Sequence, residues 1–167
     1  CGICGIVSNK DIPNIQDVIT NMSESITHRG PDDMGVWISD SKKLGLGHTR
    51  LSVIDCSSAG QQPMTSKCGR FRIVYNGEIY NYRSIRERIE KQQTVKWSGH
   101  SDTEVLLESI TTFGLKETLK TLNGMFAFAV LDVKEEILYL ARDRMGEKPL
   151  YFGRIAGKFV FGRKLFF

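Results

Sequence analysis

The chain has 167 residues, 41% of them apolar or aromatic and 25% charged, a balance that excludes a disordered or low-complexity chain and suits one domain with its own core. The longest uninterrupted apolar run, residues 125–131, falls far short of the roughly 20 residues a membrane helix needs, so no membrane span is expected. The formal charge of +4 is scattered along the chain, and the basic residues between 83 and 96 are interleaved with acids, which describes a solvated helix face and not a nucleic-acid surface. With no basic segment ahead of the first apolar stretch, a cytoplasmic location and reduced thiols are expected for the four cysteines.

In chain order, residues 1–8 read as a short buried strand ending in a turn. Ile15, Val18, Ile19, Met22 and Ile26 then follow the 3.6-residue spacing of a helix, with Pro13 in its first turn, and the segment 28–33 (HRGPDD) stops it. Strands are predicted over residues 36–39, 44–55 and 71–76, with a polar loop at 57–69. Two helices follow. The first covers about 82–92 with Asn81 as N-cap; the second opens with Ser101-Asp102-Thr103-Glu104, a capping box that puts Asp102 in its first turn, and stops at Gly114. Residues 125–132, 137–142, 150–154 and 158–161 read as four more strands. A sandwich with largely antiparallel sheets is the economical architecture, because a doubly wound parallel fold would need a helix after nearly every strand.

Three groups of residues could carry chemistry. If residue 1 is the mature N-terminus, Cys1 holds a thiol and an α-amine that ordinarily titrates near neutrality, so one residue supplies nucleophile and base. The alternative is one more cysteine without a catalytic role. Asn76-Gly77 follows an apolar strand, and an Asn amide beside a Gly N–H can serve one developing oxyanion; the same dipeptide is also a hairpin-turn signal. Arg50, in an otherwise apolar strand, could grip a carboxylate, with Glu78 and Asp102 taking an ammonium, the complement of an amino acid's two charges. Arg50 pairing with one of those acids within the protein stays open.

Taken together, Cys1-Gly2-Ile3, HRGPDD (28–33), GHTRLSVID (47–55), QQPM (61–64), YNGEIYN (75–81), SDTE (101–104), GMFAFAV (124–130) and RDRMGEKPLYF (142–152) resemble the glutaminase domain of asparagine-synthetase-like class II glutamine amidotransferases. Eight motifs in one order are specific where any single motif is weak. The resemblance implies an α+β fold, the four-layer αββα sandwich of N-terminal-nucleophile hydrolases. It makes Cys1 the nucleophile and the Asn76 side chain with the Gly77 N–H the oxyanion hole. Arg50 would bind the α-carboxylate of glutamine, Glu78 and Asp102 its α-amine, and the backbone near Leu51 and Val53 would line the pocket. The segment HTRLSVID is nearer the asparagine synthetases than the sugar-phosphate and phosphoribosyl branches.

The implied reaction releases glutamate and ammonia through a Cys1 thioester and supplies the ammonia to an amide- or amine-forming site. No metal or cofactor is expected in this domain. ATP and Mg belong to a synthetase domain or subunit, whose SGGxDS-like pyrophosphate motif is missing here, so residues 1–167 are expected to form the glutaminase domain alone. The ending Gly162-Arg163-Lys164 departs from the family's usual Ser-Glu after the last strand. Glutamine is the expected substrate, no nucleic acid or membrane partner is expected, and a homodimer stays open. Two alternatives are a non-catalytic interaction domain of the same fold and a redox or metal module built on Cys1 and Cys4. The second is disfavoured because residues three apart on a strand face opposite sides.

Overall fold

The computed structural model describes residues 1–51 and 60–164. Its order is β1 (Gly2–Val7), α1 (Ile15–Glu24), a 3-10 turn η1 (Thr27–Arg29), β2 (Asp33–Ile38), β3 (Leu44–Arg50), β4 (Met64–Thr65), β5 (Phe71–Ile79), α2 (Tyr82–Glu90), α3 (Asp102–Phe113), α4 (Leu115–Thr121), β6 (Gly124–Asp132), β7 (Ile137–Arg142), β8 (Tyr151–Ile155) and β9 (Lys158–Gly162). The strands form two sheets, β2-β3-β1-β9-β8 and β4-β5-β6-β7. Every strand pair in them is antiparallel.

Period-two alternation assigns each strand face to a layer. In β6, Phe126, Phe128 and Val130 pack outward against α2, α3 and α4, joined by Ile73, Tyr75 and Ile79 of β5. The intervening Ala127, Ala129 and Leu131 turn inward with Val74 to meet Ile3, Leu44, Leu46 and Phe161 of the other sheet. Small alanines on that inner face let the sheets approach. On the far side of the first sheet, Cys4 and Ile6 of β1 pack beneath α1 against Ile15 and Ile19. The layers therefore run helix, sheet, sheet, helices, the expected αββα sandwich. Full burial of each such Ile, Leu or Phe is worth about 1.5–3 kcal/mol, so the residues that alternate most regularly also contribute most to holding the layers.

The structure departs from the sequence expectation at several points. The helix α1 begins only at Ile15, after a left-handed Asn14, so Pro13 lies ahead of the first turn and Ile26 lies beyond the last. The short strand β4 and the whole of α4 were not foreseen; α3 does stop at Gly114 as expected, but a second helix, the seven-residue α4, begins at the very next residue, Leu115. Asn81 flanks α2 as predicted, but its side chain joins Thr121 and Asn123 instead of capping. At α3 the Ser101 hydroxyl accepts from the Glu104 N–H at 3.2 Å, while the Glu104 carboxylate takes the N–H groups of Ser98 and Gly99, so half of the capping box forms. The strand foreseen over 44–55 is seen as far as Arg50, and residues 52–59, Val53 among them, lie outside the described residues.

The largest difference concerns Asn76-Gly77. These residues make no turn. They continue β5 to Ile79, with Asn76 opposite Ala127 and Gly77 opposite Phe126. A Cβ at Gly77 would stand 2.3 Å from the Met125 carbonyl oxygen, so glycine is required here by the close approach of β6 and not by a reversal of the chain.

Candidate active site

Cys1 stands immediately before β1, whose partner β3 brings Thr49 opposite Gly2 and so carries Arg50 and Leu51 alongside residue 1. Both backbone groups of Leu51 meet the Cys1 sulfur. Its N–H donates to Sγ at 3.4 Å, and the thiol is 3.6 Å from its carbonyl oxygen. Leu51 thus lines the cavity through its backbone, while the residue itself is exposed.

A cavity of about 170 Å³ opens beside that sulfur and is lined by Cys1, Arg50, Asn76, Glu78 and Asp102, among others. For scale, an engineered cavity of about 150 Å³ accepts a benzene molecule, so there is room for one small metabolite. The seven described residues expected at the site from sequence, Gly77 among them, all line this one space.

Asn76 and Gly77 reach it in different ways. The Asn76 side chain is buried, and its Nδ2 has no hydrogen-bond partner. Leaving such a donor unmet costs about 1–3 kcal/mol, an expense that a ligand oxygen would remove. The direction of the Gly77 N–H follows from its neighbours. Tyr75 N–H donates to Gln62 Oε1 at 2.6 Å and Ile79 N–H to Asp102 Oδ2 at 2.9 Å, both on the edge of β5 away from β6. Backbone donors alternate along a strand, so the Gly77 N–H leaves on that same edge. Phe126, opposite Gly77, agrees in phase: its N–H and carbonyl are spent on Asp143 at 3.1 and 2.8 Å.

The acids are held differently from each other. Asp102 is buried at the start of α3, where Oδ2 accepts from Tyr75 Oη at 2.6 Å as well as from Ile79. Burial pushes its carboxyl above the ordinary value, and those donors work against that rise. Glu78 is half-buried at the rim. Arg50, the last residue of β3, is buried and lines the cavity with them.

The candidate base is set apart from the other nitrogen nearby. The α-amine of Cys1 is pushed down from 8.0 to about 6, first by burial and then by the charges of Arg163, Lys148 and Arg29, with Asp32 opposing. His48, wholly buried with Nε2 3.1 Å from the Tyr75 carbonyl, is pushed down to about 3 by burial and by the N-terminal charge. It ties the two sheets together through this hydrogen bond and is too weak a base for proton transfer near neutrality.

The Cys1–Cys4 module finds no support in this geometry. Cys4 is buried beneath α1 with Ser23 Oγ at 3.5 Å, its thiol pushed up to about 12 by desolvation. Cys1, Cys4 and Cys68 are all free thiols. Among the described residues no cluster of metal-ligating side chains occurs, and no helix is long and apolar enough to cross a membrane.

Sequence reasoning did not single out Gln62, Tyr75, Lys148 or Arg163. Gln62 and Tyr75 orient the neighbouring strand and acid; Lys148 enters the cavity from the β7–β8 connection; the Arg163 guanidinium donates to the Cys1 carbonyl at 2.7 Å. The first three lay within quoted motifs, which was the available signal, but nothing in their spacing assigned them a task.

A helix-flanked double sheet with a cysteine at the head of its central strand defines an N-terminal-nucleophile hydrolase sandwich. A family model described as the glutamine amidotransferase domain matches residues 1–165, and the chain belongs to that family. It is 38% identical to asparagine synthetase [glutamine-hydrolyzing] 3 of Bacillus subtilis over 99% of this chain and 26% of the relative. It is likewise 38% identical to the amidase chry2 of Gibberella zeae, over 87% of this chain and 21% of that protein. The chain thus spans about a quarter of the length of these relatives. Among solved structures, the glutamine phosphoribosylpyrophosphate amidotransferase of B. subtilis superposes with a TM-score of 0.79 at 23% identity, covering 98% of this chain and 42% of that one, a likeness of fold.

Proposed function

We propose that this chain hydrolyses the side-chain amide of glutamine at Cys1 and releases ammonia for use at an acceptor site outside residues 1–167. The observation that carries the reading is the convergence of the Cys1 sulfur, the unpartnered Asn76 Nδ2 and the Gly77 N–H on one cavity that also presents Arg50, Glu78 and Asp102. Cation and acids on opposite duties match a zwitterion: Arg50 takes the α-carboxylate, Glu78 and Asp102 the α-ammonium. The side-chain carbonyl then points to the sulfur.

In the first half-reaction the α-amine accepts the thiol proton, the thiolate adds to the amide carbon, and Asn76 with Gly77 hold the oxyanion. The resulting ammonium gives its proton to the leaving nitrogen, the C–N bond breaks and ammonia departs, leaving a γ-glutamyl thioester. In the second half the amine takes a proton from water, hydroxide adds to the thioester, and the proton returns to sulfur as glutamate leaves. No metal or cofactor takes part in this scheme. The scheme requires Cys1 to carry a free α-amine in the mature protein.

By analogy with the relatives named as asparagine synthetases, the acceptor is an ATP- and Mg-dependent synthetase site, in the same polypeptide or on a separate subunit. The test is glutamate release from glutamine, run beside intact-mass and peptide mapping after exposure to a glutamine-like electrophile. Turnover with a single adduct on Cys1 supports the reading. Turnover retained by Cys1→Ala would defeat it, and a folded protein that neither turns over nor labels at Cys1 would favour the non-catalytic interaction domain.

A further inference from the structure

We propose, resting on the reading above, that Arg163 is a positioning residue that clamps the backbone of Cys1 and makes its α-amine competent as the base. The placement comes from strand topology. β9 runs beside β1 with Gly162 opposite Cys4, and the chain then continues one residue further along the same edge. There Arg163 meets β1 at two points: its N–H donates to the Ile3 carbonyl at 3.0 Å, and Nη1 donates to the Cys1 carbonyl at 2.7 Å. On the opposite edge, the β3 ladder with β1 begins only at Gly2. Cys1 therefore lies past the end of its sheet, and the guanidinium grips the carbonyl of the residue that carries both reacting groups.

The clamp has features that fold stability does not explain. Arg163 Nε is buried without a hydrogen-bond partner, and the guanidinium stands near the like charge of Arg29. Both are costs to the folded state. Their effect falls on the neighbouring amine, since a permanent cation close to an ammonium favours the neutral form. The charged groups facing the α-amine are Arg163 at the end of β9, Lys148 from the β7–β8 connection, Arg29 of η1 and Asp32 before β2, with neutral His48 below. Arg163 exerts the largest of these charge effects, and with burial they bring the amine to about 6.

The experiment compares wild type, R163Q and R163K by two readouts: the acid limb of kcat/KM for glutamine, and the pH dependence of α-amine acetylation read by mass spectrometry of the N-terminal peptide. R163Q is expected to move both midpoints up by about one pH unit, a tenfold fall in free base on the acid side, and R163K to return them most of the way. If R163Q does not fold, R163M, which keeps the apolar stem, takes its place. Unmoved midpoints in a folded R163Q or R163M overturn the proposal, even where turnover falls. Wild type that acetylates with a midpoint near 6 yet never hydrolyses glutamine would instead overturn the glutaminase reading. The acetylation arm separates the two failures.

Discussion

Gly77→Ala tests whether the oxyanion site and the sheet make the same demand on one residue. A methyl group there would lie 2.3 Å from the Met125 carbonyl oxygen, 2.7 Å from Phe126 Cα and 2.8 Å from Phe126 Cβ. The first two are backbone atoms, so no rotamer change relieves them. Even weak carbon–oxygen contacts sit at about 3.3 Å or more, so β5 and β6 must separate locally by about 1 Å. Oxyanion donors work at about 2.7–3.1 Å from the charge they stabilise, and a displacement of that size takes the Gly77 N–H out of range. We expect kcat for glutamate release to fall by about 10²–10³ and stability by about 1–3 kcal/mol from overpacking. Turnover is measured by coupled glutamate detection and stability by urea denaturation. Gly153→Ala is the matched control, because a Cβ there meets nothing within 4 Å; it should keep full turnover and change stability by less than about 0.5 kcal/mol. Wild-type kcat with an unshifted urea midpoint in Gly77→Ala would refute both the steric reasoning and the N–H assignment.

Asn76→Ala should lower kcat by about 10²–10³ without the usual loss of stability, because it also deletes a buried unpartnered donor; a loss confined to KM would reassign Asn76 to binding. Tyr75→Phe removes the 2.6 Å bond to Asp102 and should raise KM for glutamine more than it lowers kcat, as read from saturation curves; the reverse split would place Tyr75 in the chemical step. With the α-amine at about 6, kcat/KM should rise with pH through about 6 as the ammonium loses its proton, and an acid limb near 8 would mean the amine is unperturbed or is not the base. Retaining one residue ahead of Cys1 replaces that amine by an amide and should abolish turnover; full activity would require another base. Cys4, pushed up to about 12, should stay unlabelled by iodoacetamide at pH 8 while Cys1 reacts, a contrast that peptide mapping reports.

The layers of this fold were legible because its strands bury both faces. Residues 125–132 read as one apolar strand, and the structure packs each side chain from Phe126 to Leu131 into one core or the other, phenylalanines outward and alanines inward. Where local signals compete with packing, the sequence misled. Asn-Gly is a turn signal in isolation, but Gly77 sits where β6 approaches too closely for any Cβ, and a nine-residue ladder overrides the local preference. The short α4 could not be read for a related reason: seven residues are too few to display a helical period, and its buried residue is the polar Thr118, held to Ser109 at 3.0 Å.

The candidate site divides along the same line. Its charged members announced themselves because a cation in an apolar strand, or an acid in a helix's first turn, is conspicuous in the sequence itself. Its supporting members did not. Gln62, Tyr75 and Arg163 act through a backbone N–H, a carboxylate and a carbonyl contributed by residues 13, 27 and 162 positions away. Each is an ordinary polar side chain until the two sheets are stacked. Arg163 drew notice only as a departure from the family pattern, yet its guanidinium donates to the carbonyl of Cys1 and so ties the end of the last described strand to the residue that carries both thiol and amine, a contact visible only once β9 is laid beside β1.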